Sequence, residues 1–467
     1  MMIQIVGGGL AGTEAAWQAA RRGVPVTLHE MRPLRTTRVH QTAQLAELVC
    51  SNSFRGDKLE NAVGLLKAEM RQLESLIMHV ADRSRVPAGV ALAVDRDRFA
   101  AGVTDALERH PLVTIRRGEI THLPEMMSTD TPTIIATGPL TSESLSADIA
   151  TLVGHEHLYF YDAISPIVLA ETIDRSKVFR ASRWGRDAKA ESESERARWD
   201  VDNPVGDYLN CPLSETEYLS FYEALIGAEV AELHDFDRTP FFEGCLPIEV
   251  MAHRGLDTLR FGPMKPVGLI DPVRGRRPHA VVQLRQDNLA ADHYSLVGFQ
   301  TQLKWADQRR VIRLVPGLEE AEFVRFGMIH RNTYINAPSL LGPTWQTRAR
   351  PELFFAGQLS GVEGYVESAA SGLMAGINAA ALARNRPVSV PPRATAIGAL
   401  AYYISHANPT NYQPTNIAFG LIPPLDRPQR DKKVRRRAIA RRALEELTAW
   451  QDVAGVKVDE ETASVVS

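Results

Sequence analysis

The sequence predicts an α/β fold in which a Rossmann-like nucleotide-binding domain is interrupted by a mainly β (α+β) insertion. Three features support this prediction. A short apolar strand, a glycine-rich turn and a helix open the chain, helix–strand alternation is lost in its middle, and the alternation returns near the C-terminus. Because the first and last parts share one pattern, we expect a discontinuous domain that closes around the insertion.

The opening segment has the pattern of a dinucleotide-binding unit. After the apolar stretch at 3–6, Gly7, Gly9 and Gly12 follow the G-x-G-x-x-G spacing. The first glycine allows a tight turn, the second lets a pyrophosphate approach the backbone, and the third lets helix and strand pack closely. A second strand ends at Glu30, about twenty residues on, where an acid binds a ribose hydroxyl. Because all these parts occur in order, a nucleotide-free glycine turn is the weaker alternative.

Composition and charge are those of an ordinary globular protein. The chain has 467 residues, 44% hydrophobic and 23% charged, with a formal net charge of −3. Any surface for nucleic acid would therefore have to be local. The three cysteines are far apart, which excludes a disulfide framework and a C-x-x-C zinc pattern. No run of about twenty apolar residues occurs, so we expect a cytoplasmic protein without membrane contact or metal.

Two later strands are predicted to return to the nucleotide site, one ending at Gly138 and the other at Gly357. The helix after Gly357 has small residues at helical spacing, which predict a face that lies tightly on a sheet. These residues are Ala369, Gly372, Gly376 and Ala379. No second G-x-G-x-x-G occurs in the middle of the chain, which disfavours a dedicated NAD(P)H domain.

The middle of the chain lacks the regular helix–strand alternation of the two end segments. The charged stretch 186–203 is typical of a solvated loop. Around it, strands are predicted at 177–185, 257–265, 279–286 and 294–300. The predicted domains are 1–175 for the first part of the nucleotide-binding domain, 176–299 for the insertion, and 300–467 for the second part with a basic C-terminal helix.

The C-terminal helix combines an apolar stripe with a group of arginines. The stripe is Ile439, Ala443, Leu447 and Trp450. The arginines are Arg435, Arg436, Arg437, Arg441 and Arg442. Both a docked helix with a solvated outer face and a patch for a phosphate backbone fit this pattern.

Two of the cysteines are candidate reactive groups. Cys50 lies in VCSNS, beside hydroxyl and amide side chains that can bond a ligand, and Cys245 lies in FFEGC. A cysteine becomes a carbon nucleophile once a base, a cation or a helix end ionises its thiol. A buried, inert thiol is the alternative at either position, and it is the state that we expect for Cys211.

Several stretches together resemble one family over nearly the whole chain, among them IVGGGLAGTEAAW, VCSNSFRGDKLENAVGLLKAEMR, GFQTQLKW and AGQLSGVEGYVESAASG. The sequence resembles TrmFO, the folate- and FAD-dependent tRNA (uracil-5-)-methyltransferase family, which is similar to the larger MnmG (GidA) flavoproteins. One departure is the charged stretch 186–203, which lengthens a segment that is shorter in the family pattern.

The resemblance implies C5-methylation of uridine 54 in the tRNA T-loop, with the carbon taken from 5,10-methylenetetrahydrofolate. FADH2, regenerated by NADH or NADPH, supplies the reducing equivalents. The partners implied are tRNA at its T-loop and elbow, folate and a nicotinamide nucleotide. The cofactor-binding residues implied are Gly7, Gly8, Gly9, Leu10, Ala11 and Gly12 for the FAD pyrophosphate, Glu30 for its ribose, Gly138 and Gly357 at the strand ends, and Tyr365 against the flavin or folate ring.

The implied chemistry suits a pair of thiols, Cys50 and Cys245. A thiolate added to carbon 6 of uracil makes carbon 5 enolate-like, so that it attacks a one-carbon electrophile. A base then removes the carbon 5 proton, and hydride from the reduced flavin completes the methyl group. The hypothesis assigns the attack to Cys245 and a role as acid, base or second thiol to Cys50. Exchanged roles, or a flavin that carries the one-carbon unit, stay open.

Three other functions are compatible with the sequence. One is MnmG-like modification of a wobble uridine, and another is oxidoreduction of a small molecule by the flavin. The third is RNA binding without catalysis, with FAD as a stabilising group. Dependence on folate and the position of the product in tRNA separate these functions from the first.

Overall fold

The computed structural model describes residues 1–37, 39–123, 131–153, 158–185, 206–231, 246–427 and 429–456. The strands in these ranges are β1 Ile3–Val6, β2 Val26–Glu30, β3 Ser53–Gly56, β4 Arg85–Val86, β5 Ala91–Val94, β6 Val113–Arg117, β7 Thr133–Ile135, β8 Leu158–Ala163, β9 Ile167–Leu169, β10 Phe179–Arg180, β11 Tyr208–Leu213, β12 Ala280–Gln286, β13 His293–Leu296, β14 Phe323–Arg325, β15 Ile329–Tyr334 and β16 Leu353–Phe355.

The α-helices in the same ranges are α1 Leu10–Arg21, α2 Ala62–Gln72, α3 Leu76–Arg83, α4 Arg96–Glu108, α5 Glu143–Val153, α6 Glu215–Ile226, α7 Ile248–His253, α8 Thr258–Phe261, α9 Trp305–Ile312, α10 Ala337–Leu340, α11 Tyr365–Ala383, α12 Ala396–His406 and α13 Lys432–Ala454. Among these helices, none is both long enough and apolar enough to cross a membrane.

The predicted Rossmann-like α/β architecture is confirmed by a parallel sheet with the strand order β6-β2-β1-β7-β16. From β1 the chain passes to β2 on one side, and it later returns to β7 on the other side. The winding therefore changes direction at the carboxyl end of β1. In open α/β sheets, ligands bind in the crevice at such a point.

Antiparallel strands form the second large sheet, in the order β10-β11-β12-β13-β9-β14. Four of these strands lie within the predicted insertion, 176–299, and β9 and β14 flank it in sequence. The domain boundaries themselves stay a prediction. In two smaller sheets, β5 pairs with β3 and with β4, and β15 pairs with β8.

One predicted strand, 257–265, is wrong, because its first half forms the short helix α8. In a strand, Leu259 and Phe261 would lie on the same face. In the structure Leu259 is fully buried, whereas Phe261 is 81% exposed.

Helices α1 and α11 cross at backbone contact. A Cβ atom on Gly372 would lie 2.0 Å from the carbonyl oxygen of Ala11, and one on Gly376 would lie 2.5 Å from that of Ala15. The small face that the sequence predicts to lie on a sheet therefore meets a helix at these two glycines. Helical spacing identified the face correctly, but it carries no information about the partner.

We expect Gly372→Ala to lower the free energy of unfolding by about 3 kcal/mol, because the added methyl group must push the two backbones apart. Urea denaturation of the purified protein measures this loss. Gly420→Ala is the matched control, because a Cβ atom there meets nothing within 4 Å. Equal stability of the two variants would contradict the close contact.

Candidate functional site

A cleft lies at the carboxyl ends of the parallel strands. Each of the five strands of that sheet contributes residues that immediately follow its last hydrogen-bonded position. These lining segments are 7–11, 31–32, 118–120, 136–142 and 357–358. The site is where the strand order predicts a ligand.

The glycine turn fits a dinucleotide. A Cβ atom on Gly7 would lie 2.4 Å from the carbonyl oxygen of Ala136, and one on Gly12 would lie 1.8 Å from that of Gly7 itself. A Cβ atom on Gly9 meets no atom within 4 Å, so this position is open towards the cleft. The close approaches therefore occur at the first and third glycines, and the open position at the second. This is the division of roles that the motif predicts.

The N-termini of two helices face the cleft. Gly9 precedes α1 and Gly364 precedes α11, and neither helix has a side-chain cap. Both glycines line the cleft. Uncapped N–H groups and the helix dipoles therefore favour an anion here, and the residues present fit the pyrophosphate of FAD.

Glu30 lies at the cleft with its carboxylate held on both oxygens. The backbone N–H of Gly8 donates to Oε2 at 3.0 Å, and the guanidinium of Arg32 donates to both oxygens at 3.0 and 3.1 Å. Burial acts to raise the pKa of Glu30, but the hydrogen bonds and charge of Arg32 outweigh burial and hold the pKa below its usual value. The carboxylate is therefore ionised and fixed in direction.

Tyr365 connects the cleft to Cys50, one of the two candidate reactive cysteines. Its hydroxyl oxygen accepts the backbone N–H groups of Cys50 at 2.8 Å and of Ser51 at 3.0 Å. Tyr365 is the first residue of α11 and lines the cleft, as Cys50 does. Burial raises the pKa of the phenol, so it stays protonated.

Two arginines hold the rest of the loop at residues 48–52, which we call the thiol loop. Arg285, on β12, donates from Nε to Asn52 Oδ1 and from Nη2 to Ser51 Oγ, both at 2.8 Å. Arg96, at the start of α4, donates to the carbonyl oxygen of Leu48. Asn52 is fully buried in this network.

Positive charge surrounds the thiol of Cys50. Burial lowers the pKa of both Arg285 and Arg325, while the charge that a Cys50 thiolate would carry acts in the opposite direction on each. The charge of a Cys50 thiolate would also act on Arg96. The Nε atom of Arg96 lies 2.9 Å from Oδ2 of Asp287 in an ion pair. Cations near a thiol favour its thiolate form. The sequence analysis missed these arginines, although Arg285 stands out as a charge within a largely apolar strand.

The remaining predicted site residues have different outcomes. Gly138 and Gly357 line the cleft, with φ angles of 70° and 73°. Cys245 lies outside the described residues. Cys211 is fully buried in the core of the antiparallel sheet, and burial raises the pKa of its thiol, as expected for an inert cysteine.

Comparison with known proteins gives one consistent family. Residues 2–387 match the family described as "Glucose inhibited division protein A". A protein named "Methylenetetrahydrofolate--tRNA-(uracil-5-)-methyltransferase TrmFO" from Pelotomaculum thermopropionicum is 57% identical over 450 residues, 96% of this chain and 98% of the relative. One of the same name from Desulforudis audaxviator is 58% identical over 451 residues, 96% and 97% of the two chains.

Among solved structures, Aquifex aeolicus GidA matches with a TM-score of 0.69 at 18% identity, over 100% of this chain and 75% of that chain. This likeness concerns the fold alone. The sequence relatives go further, because they cover nearly the whole chain at high identity. The chain belongs to the GidA family and, within it, to the TrmFO proteins.

We expect Tyr365→Phe to lower the free energy of unfolding by about 2 kcal/mol, because it leaves two backbone N–H groups without their acceptor. Urea denaturation measures the change. Tyr403→Phe is the matched control, because that hydroxyl donates to the carbonyl oxygen of Gln413 in a more exposed setting. If the two variants unfold at the same urea concentration, Tyr365 does not clamp the thiol loop.

Proposed function

We propose that this protein methylates carbon 5 of uridine 54 in the T-loop of tRNA, using 5,10-methylenetetrahydrofolate as the carbon donor. The observation that carries the proposal is the thiol loop. Cys50 lies among cations at the edge of a cleft that fits a dinucleotide, and Tyr365 belongs to both. The relatives named as folate-dependent tRNA methyltransferases support the substrate class.

FAD is the cofactor that these residues would hold. The turn from Gly7 to Gly12 would bind its pyrophosphate, Glu30 its ribose, and Gly138 and Gly357 would leave room for it at two strand ends. When bound and reduced by NADH or NADPH, FAD supplies the hydride that completes the methyl group. Tyr365, with its hydroxyl fixed on the thiol loop, presents its ring to the cleft as a packing partner.

The two thiols divide the remaining chemistry. Cys245 attacks carbon 6 of uracil, which gives carbon 5 the electron density to form a bond with the one-carbon unit. Cys50 serves as acid, base or second thiol, and Arg96, Arg285 and Arg325 lie near it. Removal of the carbon 5 proton would expel the amine that carried the one-carbon unit and leave an exocyclic methylene group. Addition of the hydride to this methylene would complete the methyl group, release the thiolate and restore the double bond between carbons 5 and 6.

A methyl-transfer assay tests the proposal. It combines FAD-loaded protein, unmodified tRNA transcript, NADH or NADPH, and methylenetetrahydrofolate labelled in its one-carbon unit. We expect label in 5-methyluridine, and none when uridine 54 is replaced. Label at a wobble uridine would indicate MnmG-like chemistry. NAD(P)H consumption without label would indicate a small-molecule oxidoreductase, and tRNA binding without either would indicate an RNA-binding protein.

The same assay with cysteine variants tests the role of each thiol. Cys245→Ala and Cys50→Ala are each expected to keep FAD and to lose methylation by at least a hundredfold, since each removes a reacting thiol. Cys211→Ala is the control, because that thiol is buried in the core. Wild-type turnover in Cys245→Ala would contradict the assignment of the attacking thiolate.

The basic helix α13 supports tRNA as a partner. Its predicted stripe is confirmed, because Ile439, Ala443, Leu447 and Trp450 are buried. Arg436 and Arg437 bond Glu60, and Arg442 donates to the carbonyl oxygens of residues 423 and 424. Other cations of the helix lie exposed on its surface. These are Lys432, Lys433, Arg435 and Arg441.

Three of these exposed cations lie where positive charge destabilises the helix. Lys432, Lys433 and Arg435 lie in the first turn of α13, where the helix dipole disfavours positive charge. Packing within the chain therefore does not account for them, whereas a phosphate backbone does.

We expect the triple change Lys432→Glu, Lys433→Glu and Arg435→Glu to weaken tRNA binding at least tenfold. The slope of log K against log salt should also fall, because fewer counterions are released. The control makes the same charge change elsewhere, at Arg83, Arg98 and Arg109, which are also exposed. Equal affinities for the two triple variants would leave α13 as a docked helix with a solvated face.

A further inference from the structure

We propose that Trp305, Phe326 and Phe323 form a stacking platform for an unpaired base of the bound tRNA. We call these three residues the aromatic column. The inference rests on the proposed function for the identity of its ligand. It concerns a surface outside the cleft, which contains none of these residues.

The column is a set of nearly parallel rings. Trp305 and Phe326 have ring centroids 5.4 Å apart and an interplanar angle of 12°, and Phe326 and Phe323 are 4.7 Å apart at the same angle. Phe323 packs against the core of the antiparallel sheet, and Trp305 at the other end is 60% exposed. An anchored stack that ends in an exposed ring is the geometry to which a nucleobase adds as a further layer.

The elements behind the column keep it rigid. Phe323 belongs to β14, the edge strand of the antiparallel sheet, and Trp305 is the first residue of α9. Gln308, buried on α9, accepts the N–H of Gly327 at 2.8 Å and donates to its carbonyl oxygen at 2.8 Å. These bonds fix the helix to the residue that follows Phe326, so the rings are held in place before any ligand binds.

The charge at the exposed end suits a nucleic acid. Arg309 holds its guanidinium 5.4 Å from the centre of the Phe326 ring. Lys304 precedes Trp305 and is paired with Glu229, and Arg310 on the same helix is paired with Asp307. Arg309 therefore leaves these five charged groups with a net positive charge, which favours an anionic ligand, and the exposed ring beside it suits the base of an RNA strand.

The column lies close to the thiol loop. The thiol of Cys50 contacts the carbonyl oxygen of Ala163 at 3.9 Å, and the next residue, Ile164, donates its N–H to Met328 at 2.9 Å. Phe326 is two residues from Met328. At about 3.8 Å per residue, the backbone of Phe326 lies within about 20 Å of the thiol.

Bases close to the target in the T-loop lie within such a distance of it. A uridine that reacts at carbon 5 and carbon 6 must leave the stack of the T-loop, which also deprives adjacent bases of a stacking partner. The aromatic column would replace that partner. It would thus offset part of the free energy needed to extract the uridine.

The test uses the full chain loaded with FAD and an unmodified tRNA transcript. We expect Trp305→Ala to raise the Kd for tRNA roughly 5- to 100-fold, the range for loss of one base–aromatic stack. The flavin spectrum and the thermal midpoint should not change, because the side chain is exposed. Trp305→Phe keeps a ring and should restore affinity to within about threefold. Phe261→Ala, the matched control, removes a ring that is 81% exposed and should bind as the wild type does.

Three results would overturn the inference. The first is a wild-type Kd for Trp305→Ala, and the second is an equal loss of affinity in Phe261→Ala. The third is a change in oligomeric state with unchanged tRNA affinity, which would make the column a contact between copies of the chain. Methylation of the tRNA by the wild-type protein, measured in the same assay, shows separately whether the proposed function holds.

Discussion

The backbone contact between α1 and α11 is the constraint on which the site depends. Because Gly372 and Gly376 lack side chains, the two helices approach until Cβ atoms would collide with carbonyl oxygens. Their N-termini, at Gly9 and Gly364, then face the same cleft. Two sets of uncapped N–H groups therefore border one cleft and favour anionic groups there. The same contact sets the position of Tyr365, the first residue of α11, and through its hydroxyl the position of the thiol loop.

The thiol loop in turn connects the two large sheets. The parallel sheet contributes Tyr365 through α11, and the antiparallel sheet contributes Arg285 from β12. Asn52 completes the connection, because its amide donates to the carbonyl oxygens of Val94 and Gln286, both at 3.0 Å. Buried polar groups that are fully paired form rigid networks, since every displacement leaves a donor or acceptor unsatisfied. The antiparallel sheet is therefore fixed to the thiol loop through Arg285 and Gln286.

Local features of the site could be predicted from sequence, whereas long-range ones could not. The glycine turn, Gly138 and Gly357 have backbone conformations that only certain residues adopt easily, so the residue types reveal them. Arg285 bonds Asn52 across 233 residues, and nothing in either segment identifies the partner. The wrong strand at 257–265 has a similar cause. Its apolar residues suit a strand or a short helix, and burial of Leu259 without Phe261 is decided by tertiary packing.

The charges around Cys50 bear on how two thiols share one reaction. Arg96, Arg285 and Arg325 act on Cys50 itself, and Asp287 neutralises part of their charge. Fixed cations beside a thiol stabilise the thiolate in the resting enzyme, but a thiolate of lowered pKa is also a weaker nucleophile. Interactions that are equally strong before and during the reaction do not lower its barrier. Such a setting suits a group that holds charge or exchanges a proton better than one that attacks carbon. The arginines around Cys50 thus support its proposed role as acid, base or second thiol.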